Sequence, residues 1–410
     1  MRQAGAGTPQ RLSRSPTVTD TLIDRLPTTG APHIAPSGYA APRHAPERLD
    51  DLLPERKTRL WVPKTIFITK AARDSEVAAH ARAAGGELGA EIVELPGNAV
   101  RGLKGASERE TYRNAKSSLA IVNAPPSRLK LQPIPPSADF RLDLATGCPA
   151  PCQYCYLAGS LSGPPITRAY ANLDEVFAVI PDYVGQGRIT STSDARAGEG
   201  TTFEASCYTD PLGIEHLTGG LSRLVEHMAG LHETGLDVGL RFTTKFDLVE
   251  PLIGLDHGGS TRVRMSVNCN EVVRRFEGGT ARLENRLHAM GRLARAGYPV
   301  GLTVAPIMPV DDWREAYGDL FDRTAAQLPE DADLTVELIT HRFTPGSKDV
   351  LMGWYPATSL EMDEAVRTVK RNKFGGRKYV YPRELMVEMR TWFSDEVARV
   401  FPAAQLLYWT

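Results

Sequence analysis

From about residue 139 to 339 the chain alternates short apolar runs with helix-length segments, and no other feature restricts its fold as strongly. The runs fall at 140–145, 202–206, 238–243, 263–267, 300–304 and 334–339. Between two of them, Leu283, Leu287, Met290, Leu293 and Ala294 share one helical face, closed by Gly297 and Pro299. Repeated strand–helix units build a parallel sheet with right-handed crossovers. About six such units suit a partial barrel better than a closed eight-fold one, with functional groups at the C-terminal strand ends. A run of chemistry-bearing residues obeys that rule. A cysteine-rich loop follows the first run, Cys207 the second, Lys245 the third, Asn268 the fourth and Ala305 the fifth.

The loop is Thr146-Gly147-Cys148-Pro149-Ala150-Pro151-Cys152-Gln153-Tyr154-Cys155-Tyr156, and it holds three of the chain's five cysteines. Clustered thiols in a chain of intracellular composition read first as metal ligands. Zinc and iron–sulfur could both use them. Structural zinc wants four closed ligands, with a second Cys or His pair downstream. No such pair follows, and Cys207 and Cys269 stand alone. Three thiolates on one tight loop suit a 4Fe-4S cluster with one iron left open, since such clusters usually take four cysteines. The triplet, with Tyr154 before its last cysteine, resembles the signature of the radical S-adenosylmethionine superfamily. That resemblance implies that S-adenosylmethionine chelates the open iron and is cleaved by one electron to a 5′-deoxyadenosyl radical. The lone Cys269 reads as a core residue.

A chain of 410 residues with 42% hydrophobic content can bury a sizeable core in two or three domains. Its net charge of −1 gives no global attraction for nucleic acid, so such a partner needs a local patch. No apolar run approaches the roughly 18 residues of a membrane span, and a cytoplasmic protein without a membrane partner is expected. Residues 1–57, rich in Pro, Ala, Arg, Ser and Thr, read as a disordered tail. Residues 58–136 read as a small α/β domain, 137–345 as the partial barrel, and 346–410 as a C-terminal region. In the last, Arg367, Lys370, Arg371, Lys373, Arg377 and Lys378 are free of intervening acids and interleave with Phe374, Tyr379 and Tyr381 around Gly375-Gly376. Basic charge with aromatic platforms on a turn suits a hairpin that tracks a nucleic-acid backbone.

Several further stretches narrow the likeness. They are Tyr112-Arg113-Asn114-Ala115-Lys116-Ser117, Tyr170-Ala171-Asn172-Leu173-Asp174-Glu175, Phe203-Glu204-Ala205-Ser206-Cys207 and Arg241-Phe242-Thr243-Thr244-Lys245-Phe246. Ala296-Gly297-Tyr298-Pro299 and Glu337-Leu338-Ile339-Thr340-His341-Arg342-Phe343-Thr344 complete the set. From about residue 60 to its end the chain resembles the spore photoproduct lyases. The resemblance implies a radical lyase that returns a thymine dimer in DNA, 5-thyminyl-5,6-dihydrothymine, to two thymines. It makes Cys148, Cys152 and Cys155 the cluster ligands, and Cys207 the thiol that gives a hydrogen atom to the substrate radical. Tyr154 and Tyr156 match a pair proposed to relay hydrogen back to the sulfur. Lys245, Ser266 and Ala305 match contacts to S-adenosylmethionine, and Thr209 keeps the hydroxyl of a neighbouring family serine. Lys373-Phe374 stands where the family has Arg-Tyr, so the charge is kept without the planar fork, and the ring without the phenol. A flavodoxin or ferredoxin is the implied electron donor. Two rival readings are a radical enzyme acting on another nucleic-acid lesion, RNA or a peptide, and a non-catalytic zinc or DNA-binding module.

Overall fold

A computed structural model describes residues 58, 60–161, 163–190, 193–371 and 376–410. The expected disordered tail and the Lys373-Phe374 pair lie outside the described residues. The strands, in chain order, are β1 (Thr65–Ile68), β2 (Glu91–Glu94), β3 (Ser118–Val122), β4 (Gln132–Ile134) and β5 (Ala138–Arg141). Then come β6 (Ala145–Thr146), β7 (Thr167–Tyr170), β8 (Thr201–Glu204), β9 (Val238–Thr244) and β10 (Thr261–Val267). The last are β11 (Val300–Ile307), β12 (Leu334–Thr340), β13 (Thr368–Arg371), β14 (Arg377–Val380) and β15 (Gln405–Trp409).

The smaller sheet has the order β2-β1-β3-β7-β6, parallel except for β6. The larger runs β15-β12-β11-β10-β9-β8-β5-β4 and is parallel from β15 to β5, with β4 antiparallel at its edge. A separate hairpin pairs β13 with β14. The run at 140–145 is therefore two strands. β5 pairs with β8 in the larger sheet, and β6 pairs with β7 in the smaller one. Between them Leu142, Asp143 and Leu144 are buried where the chain crosses from one sheet to the other. Directly after β6, Gly147 adopts φ +79°, and a Cβ there would fall 2.2 Å from the Ile166 carbonyl oxygen. Only glycine allows that turn, from which the cysteine loop departs.

The larger sheet is curled. Arg241 on β9 and Glu337 on β12 are separated by two intervening strands, a span of about 14 Å across a flat sheet, yet Arg241 Nη2 and Glu337 Oε1 lie 2.6 Å apart. Arg264 on β10 bridges Glu337 at 2.8 Å and also pairs with Glu204 on β8, while Thr303 on β11 donates to Glu337 at 3.0 Å. Five consecutive strands thus point one polar side chain each into the concave face. Burying these charges costs solvation, which their mutual pairing offsets.

Outside, the helix Leu283–Arg295 buries Leu283, Leu287, Met290 and Leu293, the face read from their spacing. The helix Arg383–Val400 inserts Phe393 among Trp313, Tyr317, Phe321 and Trp409. It delivers the chain to β15, whose end pairs with β12 through Thr340 N to Thr410 O at 2.7 Å. Among the described residues no helix is long and apolar enough to cross a membrane.

Candidate active site

The cysteine loop is held by its main chain. Lys116 Nζ donates to the carbonyls of Cys148 at 2.6 Å and Ala150 at 3.0 Å. Tyr355 donates to the Pro151 carbonyl at 2.8 Å and shares a hydrogen bond with Tyr112, which stacks on Trp354. Gln153 is fixed from both sides, by its N–H to the Phe276 carbonyl at 2.9 Å and by Thr358 on its side-chain oxygen at 2.6 Å. These bonds leave the sulfurs free, and all three cysteines are unpaired thiols.

Burial pushes the Cys148 thiol up to about 12 against the pull of the Lys116 cation, and it drives the Cys152 thiol higher still. The three sulfurs are near enough that Cys155 raises both others and Cys148 raises Cys152. Such thiols ionise when a bound metal replaces the proton. Among the described residues no three Cys, His, Asp or Glu side chains converge closely enough for one metal ion. A cluster asks for no such convergence, because each thiolate binds a different iron. The donor set therefore fits an iron–sulfur cluster.

Next to the loop, Lys245 gathers the residues expected to hold a nucleotide. Its ammonium donates to Ser266 Oγ at 2.9 Å and to the Ala305 carbonyl at 3.2 Å, and sits 5.5 Å from the centre of the Tyr154 ring. Lys245 follows β9 directly. Ser266 lies within β10, and β11 runs on past residue 304, so Ala305 lies inside that strand at an irregularity in its pairing with β12. Thr209 is buried nearby in sequence to Cys207, and its hydroxyl has no partner among the described residues. An orphaned buried hydroxyl is unfavourable unless a ligand completes it. Asp210, also buried, accepts from Lys245 N at 2.7 Å and Thr244 Oγ1 at 2.8 Å, and burial raises its carboxyl to about 6.

The residue missed from sequence is Glu277. Its carboxylate lies 3.1 Å from Lys245 Nζ and 2.5 Å from Arg286 Nη1, and it accepts the Tyr154 hydroxyl. Burial would raise its pKa, but Arg286 and then Lys245 outweigh that and hold it at about 2. Glu277 caps the helix Asn270–Phe276, which leads away from the end of β10. That strand-end location was its one available signal.

Cys207 lies three residues past β8, partly exposed. Tyr156 donates its hydroxyl to the Cys207 carbonyl, while the residue as a whole is 66% exposed. One residue beyond the last cysteine of the triplet thus touches the main chain of the lone thiol. Burial lifts the Cys207 thiol to about 11, with Asp143 adding to the rise and Arg141 opposing it. Cys269 is 1% exposed, in the core as expected.

At the C-terminal hairpin, Arg377 opens β14 exposed and Lys378 is half-buried, its pKa lowered by burial and by Arg342 and Lys370. Arg367, by contrast, is buried on Tyr381 at 3.6 Å and paired with Glu361, so it serves packing rather than an outer surface.

The family model described as spore photoproduct lyase matches residues 61–410. A spore photoproduct lyase of Geobacillus sp. (strain Y412MC61) is 40% identical over 353 residues, 85% of this chain and 99% of that protein. One from Bacillus subtilis (strain 168) is 38% identical over the same shares. A solved structure of a mutant spore photoproduct lyase with bound AdoMet and dinucleoside spore photoproduct matches with a TM-score of 0.76 at 37% identity. It covers 85% of this chain and 99% of that one.

Proposed function

The chain belongs to the spore photoproduct lyase family, and from that premise we propose that it is a carbon–carbon lyase of DNA repair that returns 5-thyminyl-5,6-dihydrothymine to two thymines. Cys148, Cys152 and Cys155 would hold the 4Fe-4S cluster, and Lys245, Ser266, Ala305 and Thr209 would receive S-adenosylmethionine. Together these groups supply, when bound, a single electron and a primary carbon radical that removes a hydrogen atom from the lesion.

The chain's own residues do the rest. Lys116, Tyr355 and Gln153 keep the loop's shape through its main chain, so the sulfurs remain available. The Lys245 ammonium offers its charge to the nucleotide's carboxylate. Glu277 keeps that ammonium aimed, and with Lys245 and Arg286 leaves one positive charge in excess. After the bond between the thymines breaks, Cys207 gives its hydrogen to the remaining carbon radical. The S–H bond breaks, a C–H bond forms, and a thiyl radical stays on sulfur. Tyr156 and Tyr154 would then relay a hydrogen atom from the nucleotide's 5′ carbon to the thiyl, so that a C–H bond breaks, S–H is restored, each phenol regains its own hydrogen and the unpaired electron returns to that carbon. Arg377 and Lys378, together with Lys373 and Phe374, would contact the DNA, and a dimer presented to this site must leave the base stack. A flavodoxin or ferredoxin is the class of reductant suited to the cluster.

The observation that carries this reading is the Tyr156 hydroxyl on the Cys207 carbonyl, which ties the triple-cysteine loop to the single donor thiol. The test is anaerobic reconstitution with iron and sulfide, followed by dithionite, S-adenosylmethionine and dinucleoside spore photoproduct. Release of two thymidines is expected. 5′-Deoxyadenosine without thymidine would assign the radical chemistry to another substrate, and zinc in place of iron would remove the radical enzyme altogether.

A further inference from the structure

The charged network on the concave face has no part in the reaction above, yet one end of it reaches the chain beside the donor thiol. Glu204, 3% exposed, closes β8. Its Oε2 is held by Arg264 and by Ser137 Oγ at 2.8 Å. Its Oε1 faces Ser206, accepting the Ser206 N–H at 3.2 Å and the Ser206 hydroxyl. The main-chain ladder to β9 reaches Ala205, whose N–H donates to the Arg241 carbonyl at 2.8 Å. Two residues further along β9, the Thr243 N–H donates at 2.8 Å to Ser206 Oγ, a side-chain oxygen standing where a parallel ladder would offer a carbonyl. The Ser206 carbonyl faces the Tyr156 hydroxyl at 3.4 Å. Every polar atom of this buried serine is thus engaged, by its own strand, by the neighbouring strand and by the cysteine loop. Cys207 is the next residue.

We infer that Ser206 is a positioning residue for the hydrogen-atom donor: held by Glu204 and by the Thr243 N–H, it fixes where the main chain leaves the sheet and so where the Cys207 sulfur stands. This deepens the proposed function and rests on Cys207 being the donor. Hydrogen-atom transfer needs sulfur and carbon in near contact, and displacement by about 1 Å can cost a reaction up to a hundredfold. The anchor is firm because its carboxylate is itself paired with a buried guanidinium. Without the serine hydroxyl, the Thr243 N–H loses its partner and Glu204 loses one of its donors in a buried place. The strand end then shifts to satisfy them, and the thiol moves with it.

The test compares three full-length, reconstituted variants in single turnover with dinucleoside spore photoproduct. Ser206→Ala deletes one oxygen and adds no bulk, and Ser206→Thr keeps the hydroxyl. Thr303→Val removes a hydroxyl from the far side of the same network, at Glu337. Ser206→Ala should form 5′-deoxyadenosine at the parent rate, while its ratio of thymine to radical adducts falls roughly tenfold, the scale on which misplacement of a reacting group acts. Ser206→Thr and Thr303→Val should keep the parent ratio, whereas a merely structural role would make Thr303→Val behave like Ser206→Ala. Apart from turnover, hydrogen exchange at the Thr243 amide should be several-fold faster in Ser206→Ala and parental in Thr303→Val. A parental product ratio or a parental Thr243 amide in Ser206→Ala overturns the inference. So does equal diversion by Ser206→Thr or by Thr303→Val. Clean thymine release by Cys207→Ala overturns the donor reading itself, so the two failures are distinguishable.

Discussion

Glu277 lies 3.1 Å from the Lys245 ammonium and 2.5 Å from the Arg286 guanidinium, a single buried carboxylate facing two cations. Lys245 spends its other hydrogen bonds on Ser266 and Ala305. Lys245 thus joins the strands that carry the expected nucleotide site, and Glu277, which sequence did not single out, holds its ammonium in place.

Replacing Glu277 with Gln leaves both cations under-compensated in a dry site. The expected loss is about 3 kcal/mol of stability at neutral pH, the usual cost of removing one partner of a buried pair. The folded carboxyl is held at about 2, below the roughly 4.3 of a free Glu. Its contribution is therefore complete above about pH 5 and is lost as pH falls toward 2. Urea unfolding of both proteins across that range should show the difference shrinking on acidification, and a constant difference would contradict the assignment.

Lys116 holds two carbonyls of the cluster loop. Charge-assisted hydrogen bonds contribute about 1.5–3 kcal/mol each, so Lys116→Met should loosen the loop without touching a sulfur. Iron and sulfide per chain after reconstitution should fall, and a chelator should strip what remains at least several-fold faster. Parental iron retention would show that the loop keeps its shape by other bonds.

Cys207→Ala should keep cleaving S-adenosylmethionine, because neither Lys245 nor the triplet is altered. Thymine yield should drop in favour of adducts of the substrate radical, resolved by mass spectrometry. Full yield of thymine from this variant would show that another group donates the hydrogen atom.

Arg377 and Lys378 lie on the strand leaving the basic turn. If each neutralises one phosphate, Arg377→Ala with Lys378→Ala should lower the salt slope of duplex binding by about 1.8, or about 0.9 per contact. Fluorescence anisotropy across salt concentrations measures this, and an unchanged slope would place the DNA elsewhere.

The barrel strands were legible because each is a compact apolar run with a helix on either side, and β8 to β12 fall within a few residues of where the runs lie. Two features were hidden. The run at 140–145 looks continuous in one dimension, but Gly147 and Ile166 force its end onto a different sheet. β15 pairs with β12 across about 70 residues, and no local period announces a partner that distant. At the site, spacing exposed the cysteines and strand ends placed Lys245. Glu277 and Glu204 are ordinary charged residues in sequence, and only the folded geometry shows what they face.

The central claim is that the hydrogen completing the second thymine comes from the Cys207 sulfur. A thiol exchanges its hydrogen with solvent, whereas the carbon-bound hydrogens of the nucleotide do not. In a single turnover in D2O, mass spectrometry should find one deuterium in one of the two thymines. Turnover that yields two thymines without deuterium would contradict the account.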